Sequence, residues 1–210
     1  LEETQFPVLW HLNDPESCWG PEEKAPRHIR LGKELYDETF VNNEEQYRQM
    51  EAVLERHPKI KFIFAHLYFM SAQLPRLAAI LDKYPNVMVD ITPGLEIYVN
   101  LSKNTEEARE FFEKYQERIL YGTDIGARCV LAEHAEDTLN EDECIARMDL
   151  IDGMFDEKIH RIMREDGRYL INTDDFVQKG FSLSEEALNK IYWKNFQKYV
   201  AKTPAKVNPK

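Results

Sequence analysis

No apolar run in the 210 residues approaches the roughly 20 needed to span a bilayer, and residues 1–30 lack the charged start and apolar stretch of a secretory leader. A membrane is therefore not an expected partner. Basic residues are few for the number of acids: 27 lysines and arginines against 38 aspartates and glutamates leave a formal charge of −11. A surface of that sign repels phosphate backbones, so nucleic acid is not an expected partner either. Cysteine is scarce. Cys18, Cys129 and Cys144 are an odd number without metal-like close spacing, which favours free thiols in a reducing compartment and makes the cytoplasm the expected location. Internal repeats and low-complexity blocks are absent. With 43% hydrophobic and 31% charged residues the balance is that of an ordinary globular chain, and disordered, collagen-like and disulfide-scaffold classes drop out. The length fits one large α/β domain, residues 1–200, with a polar, proline-containing tail at 201–210.

Four short apolar runs, at 6–10, 60–65, 87–89 and 119–121, are rich in β-branched or aromatic residues and bounded by turn or helix signals. They predict buried parallel strands. Between them, residues 44–56, 72–83 and 105–115 repeat apolar positions at three- and four-residue steps, the helical period. His57-Pro58 and Tyr84-Pro85 place a proline just after a helical run and just before a strand, as helix stops do. Alternation of this kind predicts a parallel sheet covered by helices, either an open doubly wound sheet or a closed barrel. Residues 12–43 form an unusually long connection with Pro15, Gly20, Pro21, Pro26 and Gly32, of the sort that often serves as a lid. Further on, 142–164 predicts one long helix or two broken at Gly153, and Ser184-Glu185-Glu186 predicts a cap before a helix at 187–200.

A polar residue follows the apolar run at each strand end: His11, His66, Asp90 and Asp124. In parallel α/β architectures the carboxyl ends of the strands form one face, on which sites are built from residues of different strands. Two imidazoles and a carboxylate suit zinc or a similar divalent metal with an open position for water. Singly, each has a plainer role, since a histidine there can bond a backbone carbonyl and an aspartate can cap the next helix. On the connections at the same face, Trp19, Arg27, His28, Arg30, Tyr68, Tyr98 and Arg128 are candidate substrate contacts, an arginine being suited to a carboxylate by a bidentate bond. Cys129 has no adjacent base and reads as a packed thiol.

These residues carry a resemblance. Pro7-Val8-Leu9-Trp10-His11 with Asn13-Asp14-Pro15, then Arg56-His57-Pro58 through Phe62-Ile63-Phe64-Ala65-His66-Leu67, then Leu81-Asp82-Lys83-Tyr84-Pro85-Asn86-Val87 with Val89-Asp90, resemble strands five, six and seven of the amidohydrolase superfamily. Phe111-Phe112-Glu113-Lys114-Tyr115 with Arg118-Ile119-Leu120-Tyr121-Gly122-Thr123-Asp124 is similar to its eighth strand, and Ile191-Tyr192-Trp193-Lys194-Asn195 to its closing helix. The wording is that of the amidohydrolase-related branch, which also contains aminocarboxymuconate-semialdehyde and resorcylate decarboxylases. The resemblance implies a TIM (β/α)8 barrel of which strands five to eight lie in this chain. It further implies a divalent metal, zinc first, held by His11 and Asp124, with Asp124 also accepting a proton from the metal's water and His66 polarising the substrate oxygen or orienting that water. Asp90 is left with two roles, support of the site or a structural cap.

The family's first strand ends in a His-x-His pair of metal ligands, and this sequence contains no such pair. Strands one to four also lack a counterpart, so the expected partner, besides a small-molecule substrate, is a second copy or a missing N-terminal half. The functional expectation is a metal-dependent hydrolase acting on a C–N or C–O bond of a small cyclic or carboxylated compound. Two alternatives stand beside it: a non-oxidative decarboxylase on the same scaffold, and a catalytically incomplete chain that binds or assembles.

Overall fold

The computed structural model describes residues 1–19, 35–94, 96–125, 141–162 and 177–201. Four strands, β1 (Val8–Trp10), β2 (Phe62–Phe64), β3 (Val87–Asp90) and β4 (Ile119–Leu120), pair in the order β1-β2-β3-β4. All three pairings are parallel. The strands coincide with the four apolar runs, β1, β2 and β4 being shorter than expected and β3 longer by Asp90. Phe62, Phe64, Val87, Val89 and Ile119 point to one face, where they join the main core, while Ile63, Met88 and Leu120 form a second cluster on the other. Burial on both faces explains why these strands read as continuous apolar runs rather than as alternating ones.

Helices α1 (Asn43–Arg56), α2 (Leu74–Lys83), α3 (Ile97–Lys103) and α4 (Thr105–Lys114) follow β1 to β3 in the chain. Asn42 caps α1 and Asn104 caps α4, each accepting from the backbone N–H three residues on, which satisfies one of the donors a helix start leaves unpaired. His57 ends α1 as the sequence predicts, its N–H returning to Val53 O. Apolar teeth at Tyr47, Met50 and Leu54 of α1, Leu77, Ile80 and Leu81 of α2, and Ala108, Phe111 and Phe112 of α4 fill the core against the sheet. Arg118, just before β4, donates through its guanidinium to the carbonyls of Leu81, Tyr84 and Val87, so one side chain ties the end of α2 to the start of β3.

The chain after β4 departs from expectation. Helix α5 (Glu141–Met154) ends one residue past Gly153, and β5 (His160–Ile162) then pairs antiparallel with β6 (Val177–Lys179). Among the described residues 155–162 no second helix follows. The reason is a partner distant in sequence: Phe181 N donates to Met154 O and Gly180 N to Ile159 O, pulling the segment into a ribbon. Gly180 permits this approach, since a Cβ there would meet the Asp156 carbonyl oxygen at 2.1 Å. Ser184 then caps α6 (Glu185–Asn189) as the sequence predicts, and helical turns of π type continue over Lys190–Lys194 and Gln197–Ala201. Asn195, buried, donates to Gln116 O and Ile119 O and fixes this segment to β4. Tyr199 and Val200 pack on the Ile63, Met88 and Leu120 face.

At the far edge β1 pairs with β2 and with no other described strand. Leu9 and Trp10 of β1 are 66% and 43% exposed, and Phe6 before it is 62% exposed. Among the described residues no helix is long and apolar enough to cross a membrane.

Candidate active site

Because the four strands run parallel, His11, His66, Asp90 and Asp124 all lie at or beyond their carboxyl ends, on one edge of the sheet. Two of them meet. The rings of His11 and His66 stand edge to face with centroids 5.1 Å apart, and Phe69 lies 5.1 Å from each.

His66 is the best-defined residue of the site and is buried. The Asp90 carboxylate, also buried, accepts three hydrogen bonds at one oxygen, Oδ1: from the His66 backbone N–H at 2.8 Å, the Thr92 N–H at 3.1 Å and the Thr92 hydroxyl at 2.7 Å. Burial pushes the Asp90 carboxyl above its ordinary value, and these donors work against that rise. On the ring side, His66 Nδ1 lies 3.1 Å from Thr92 O and 3.0 Å from Thr92 Oγ1. Of the two roles open to Asp90, the structure therefore shows support of His66 and of the turn after β3.

The backbone beyond β2 is unusual: His66, Leu67, Tyr68 and Phe69 have φ of 57, 50, 58 and 55°, a left-handed turn built without glycine. Each such residue costs about 1–2 kcal/mol relative to right-handed backbone. The turn sends Leu67 and Tyr68 into the core and holds Phe69 against the two imidazoles. Tyr68 is accordingly no surface for substrate: it is 1% exposed, stacked on Phe64 at 4.0 Å and edge-on to Tyr47. Tyr98, likewise 1% exposed, donates its hydroxyl to Ile91 O in the core. Both tyrosines sit on connections at the carboxyl-terminal edge of the sheet, as sequence position indicates, but their rings turn inward to fill volume. Trp19 packs on Tyr36 at 4.6 Å, and Tyr36 donates to Asp14 at 2.7 Å, an interaction that holds the phenol up to about 12. Arg27, His28, Arg30 and Arg128 lie outside the described residues.

Asp124 sits in the connection after β4 with φ of 55°. Arg147 of α5, itself buried, donates from Nη1 to Thr123 O at 3.0 Å and Asp124 O at 2.6 Å, and lies 3.2 Å from Asp124 Oδ2. One carboxylate oxygen is thus committed to an ion pair. Sequence reading misses Arg147 because a lone arginine in a polar helix looks like an ordinary solvated charge. The open trough between α1 and α2 is lined by Glu44, Glu45, Arg48, Glu51, Glu55 and Arg76 with the neutral Asn42 and Ala52, and no imidazole is among these residues. A shallow recess of about 20 Å³, room for about one water, shares Phe69 and Gly94 with the histidine cluster and adds Glu16, Ser71, Glu96 and Asn100 to its walls. Gly94 borders His66 directly, since a Cβ there would lie 3.5 Å from Nδ1.

The family model for amidohydrolases matches residues 43–196, about three quarters of the sequence. The chain belongs to the amidohydrolase family. Searches of curated proteins and of solved structures found no match. The matched span takes in His66, Asp90 and Asp124 and begins after His11. Membership implies a TIM barrel, and the parallel α/β sheet is consistent in kind with one. Amidohydrolases commonly use divalent metals. A metal centre of this type needs about three protein donors at bonding distance. Among the described residues no three His, Cys, Asp or Glu side chains come together in that way. His11 and His66 adjoin, but Asp124 does not join them as a third donor, so the described residues do not by themselves fit a metal.

Proposed function

We propose that this chain is the part of an amidohydrolase-related, metal-dependent hydrolase that supplies strands five to eight of the barrel, and that it cleaves a C–N or C–O bond in a small cyclic or carboxylated substrate. The observation that carries this is the meeting of His11 and His66 at the ends of adjacent parallel strands, in a chain of the amidohydrolase family. Phe69 supplies an apolar wall beside both imidazoles, of which His66 is buried and His11 exposed, and an imidazole is a side chain suited to general acid–base work. Asp124, beyond the end of β4 and two strands from β2, is the carboxylate for the second proton-handling role. Zinc on His11 and Asp124, as the resemblance implies, would require further donors, and a segment carrying His-x-His would be their natural source. That segment, or a second copy, would also cover the exposed edge at β1.

A second reading has its own observation: the Arg147 ion pair occupies Asp124 and the described residues assemble no three-donor cluster, as a chain that only binds or assembles would have it. One experiment separates the two. The chain is purified alone and with a co-expressed segment carrying His-x-His, and both are assayed against small cyclic amides, lactones and aromatic carboxylates. Hydrolysis by the pair, abolished in His66→Gln and in Asp124→Asn, is the expected result. Release of carbon dioxide instead of hydrolysis replaces the reaction with decarboxylation, and no turnover in either preparation leaves the binding role.

A further inference from the structure

We infer that Thr92, oriented by Asp90, is a positioning residue that locks His66 into the tautomer with its proton on Nδ1, leaving Nε2 as a lone-pair acceptor. The polarity of the hydrogen-bond chain decides it. Asp90 Oδ1 accepts from two backbone N–H groups, those of His66 and Thr92, which can only donate. That oxygen therefore carries no proton whatever the state of the carboxyl group, since a proton would reside on Oδ2. The Thr92 hydroxyl, 2.7 Å from the same oxygen, must spend its single hydrogen there. Toward His66 Nδ1, at 3.0 Å, Thr92 Oγ1 can then only accept. The Thr92 carbonyl, 3.1 Å from the same nitrogen, is an acceptor by nature. Two acceptors facing one ring nitrogen require that nitrogen to be the donor, so the neutral ring has its proton on Nδ1.

The arrangement is held from behind as well. Gly122 after β4 lies where a Cβ would come within 2.5 Å of Thr92 Cγ2, so the Thr92 methyl group fills the space a side chain would take. With its methyl seated there, the hydroxyl is turned toward Asp90 and His66. The left-handed turn that starts at His66 presents its backbone N–H to Asp90 while its ring faces Thr92, so main chain and imidazole are gripped by the same pair.

The consequence for chemistry is a choice between the two roles the resemblance leaves to His66. A neutral imidazole with a lone pair on Nε2 cannot polarise a substrate oxygen by donating to it. It can accept a hydrogen bond, and then a proton, from a water or a substrate hydroxyl. This consequence rests on the hydrolase proposal, whereas the tautomer itself does not.

The test reads the tautomer directly. The full chain is labelled with 15N-histidine, and the ring nitrogens are observed by NMR above the imidazole titration range, with His66→Gln assigning the resonances. The expected spectrum has a pyrrole-type Nδ1 and a pyridine-type Nε2 for His66. Thr92→Val removes one acceptor and leaves the carbonyl, so the tautomer ratio should move roughly fivefold toward Nε2–H, the worth of one hydrogen bond. Thr92→Ser should restore the original ratio. A pyridine-type Nδ1 in the parent chain overturns the inference without any variant, and an unchanged ratio in a folded Thr92→Val protein removes the role of Thr92. Neither outcome touches the hydrolase proposal, which stands or falls on turnover.

Discussion

Single side chains at the strand ends divide into those that sequence position describes and those that only packing can. His11 and His66 could be read from their places after apolar runs, and the structure sets their rings together. Tyr68 and Tyr98 occupy equally suggestive places but are drawn into the core, because a left-handed turn and a short helix reverse the direction their sequence neighbours imply. No residue-by-residue pattern signals that reversal. Arg147 is the converse case, a buried guanidinium whose partners, Thr123 and Asp124, are more than twenty residues away. Its removal leaves two carbonyls short of a donor. Arg147→Met should therefore destabilise the chain by about 2 kcal/mol, the typical penalty for stranding such groups, as read from urea unfolding. An unchanged midpoint would show that the clamp contributes nothing to the fold.

Among the elements, the four strands and helices α1, α2 and α4 were legible because burial leaves a periodic mark and asparagine and proline mark the ends. Helix α3 was not: it is short, and Glu96 at its start gives no side-chain cap. The β5–β6 ribbon was illegible for another reason, since strand pairing depends on residues that local periodicity does not include, here 177–181 for 154–162. The turn at 66–69 offers a test at this scale. Ordinarily alanine is more stable than glycine in folded backbone. With φ of 55° at Phe69 the order should invert. Phe69→Ala and Phe69→Gly lose the same ring, yet the glycine variant should be more stable by about 1 kcal/mol. Thermal melts of the two proteins compare them directly, and a more stable alanine variant would contradict the left-handed geometry.

For the whole molecule, charge and edge exposure set the solution behaviour. Hydrogen bonds from Arg76 to Glu44, from Arg48 and Gln49 to Glu45, and from Lys190 and Lys198 to Glu117 hold these carboxyl groups below their ordinary 4.5, Glu45 down to about 2. A carboxyl group depressed on folding contributes stability that is present above its unfolded value and lost as pH falls through the folded one. The melting temperature should hold above about pH 5 and decline progressively as the pH is lowered from 4.5 toward 2. High salt should shrink that decline, because these pairs are exposed and screened. A flat profile would contradict the assignment.

The β1 edge, with Phe6 and Leu9 exposed, should make the chain self-associate with rising concentration, and Leu9→Lys should reduce this in sedimentation without changing the fold. Equal association by both proteins would place the contact elsewhere. The central proposal is that this chain supplies part of a metal-dependent site, which the described residues do not complete. Metal content after exhaustive dialysis tests it most directly. The account predicts little or no zinc in the purified chain, and one metal per complex once a segment carrying His-x-His is co-expressed, lost again in His11→Ala. Stoichiometric, tightly held metal in the chain alone, with hydrolytic turnover that His11→Ala abolishes, would contradict it.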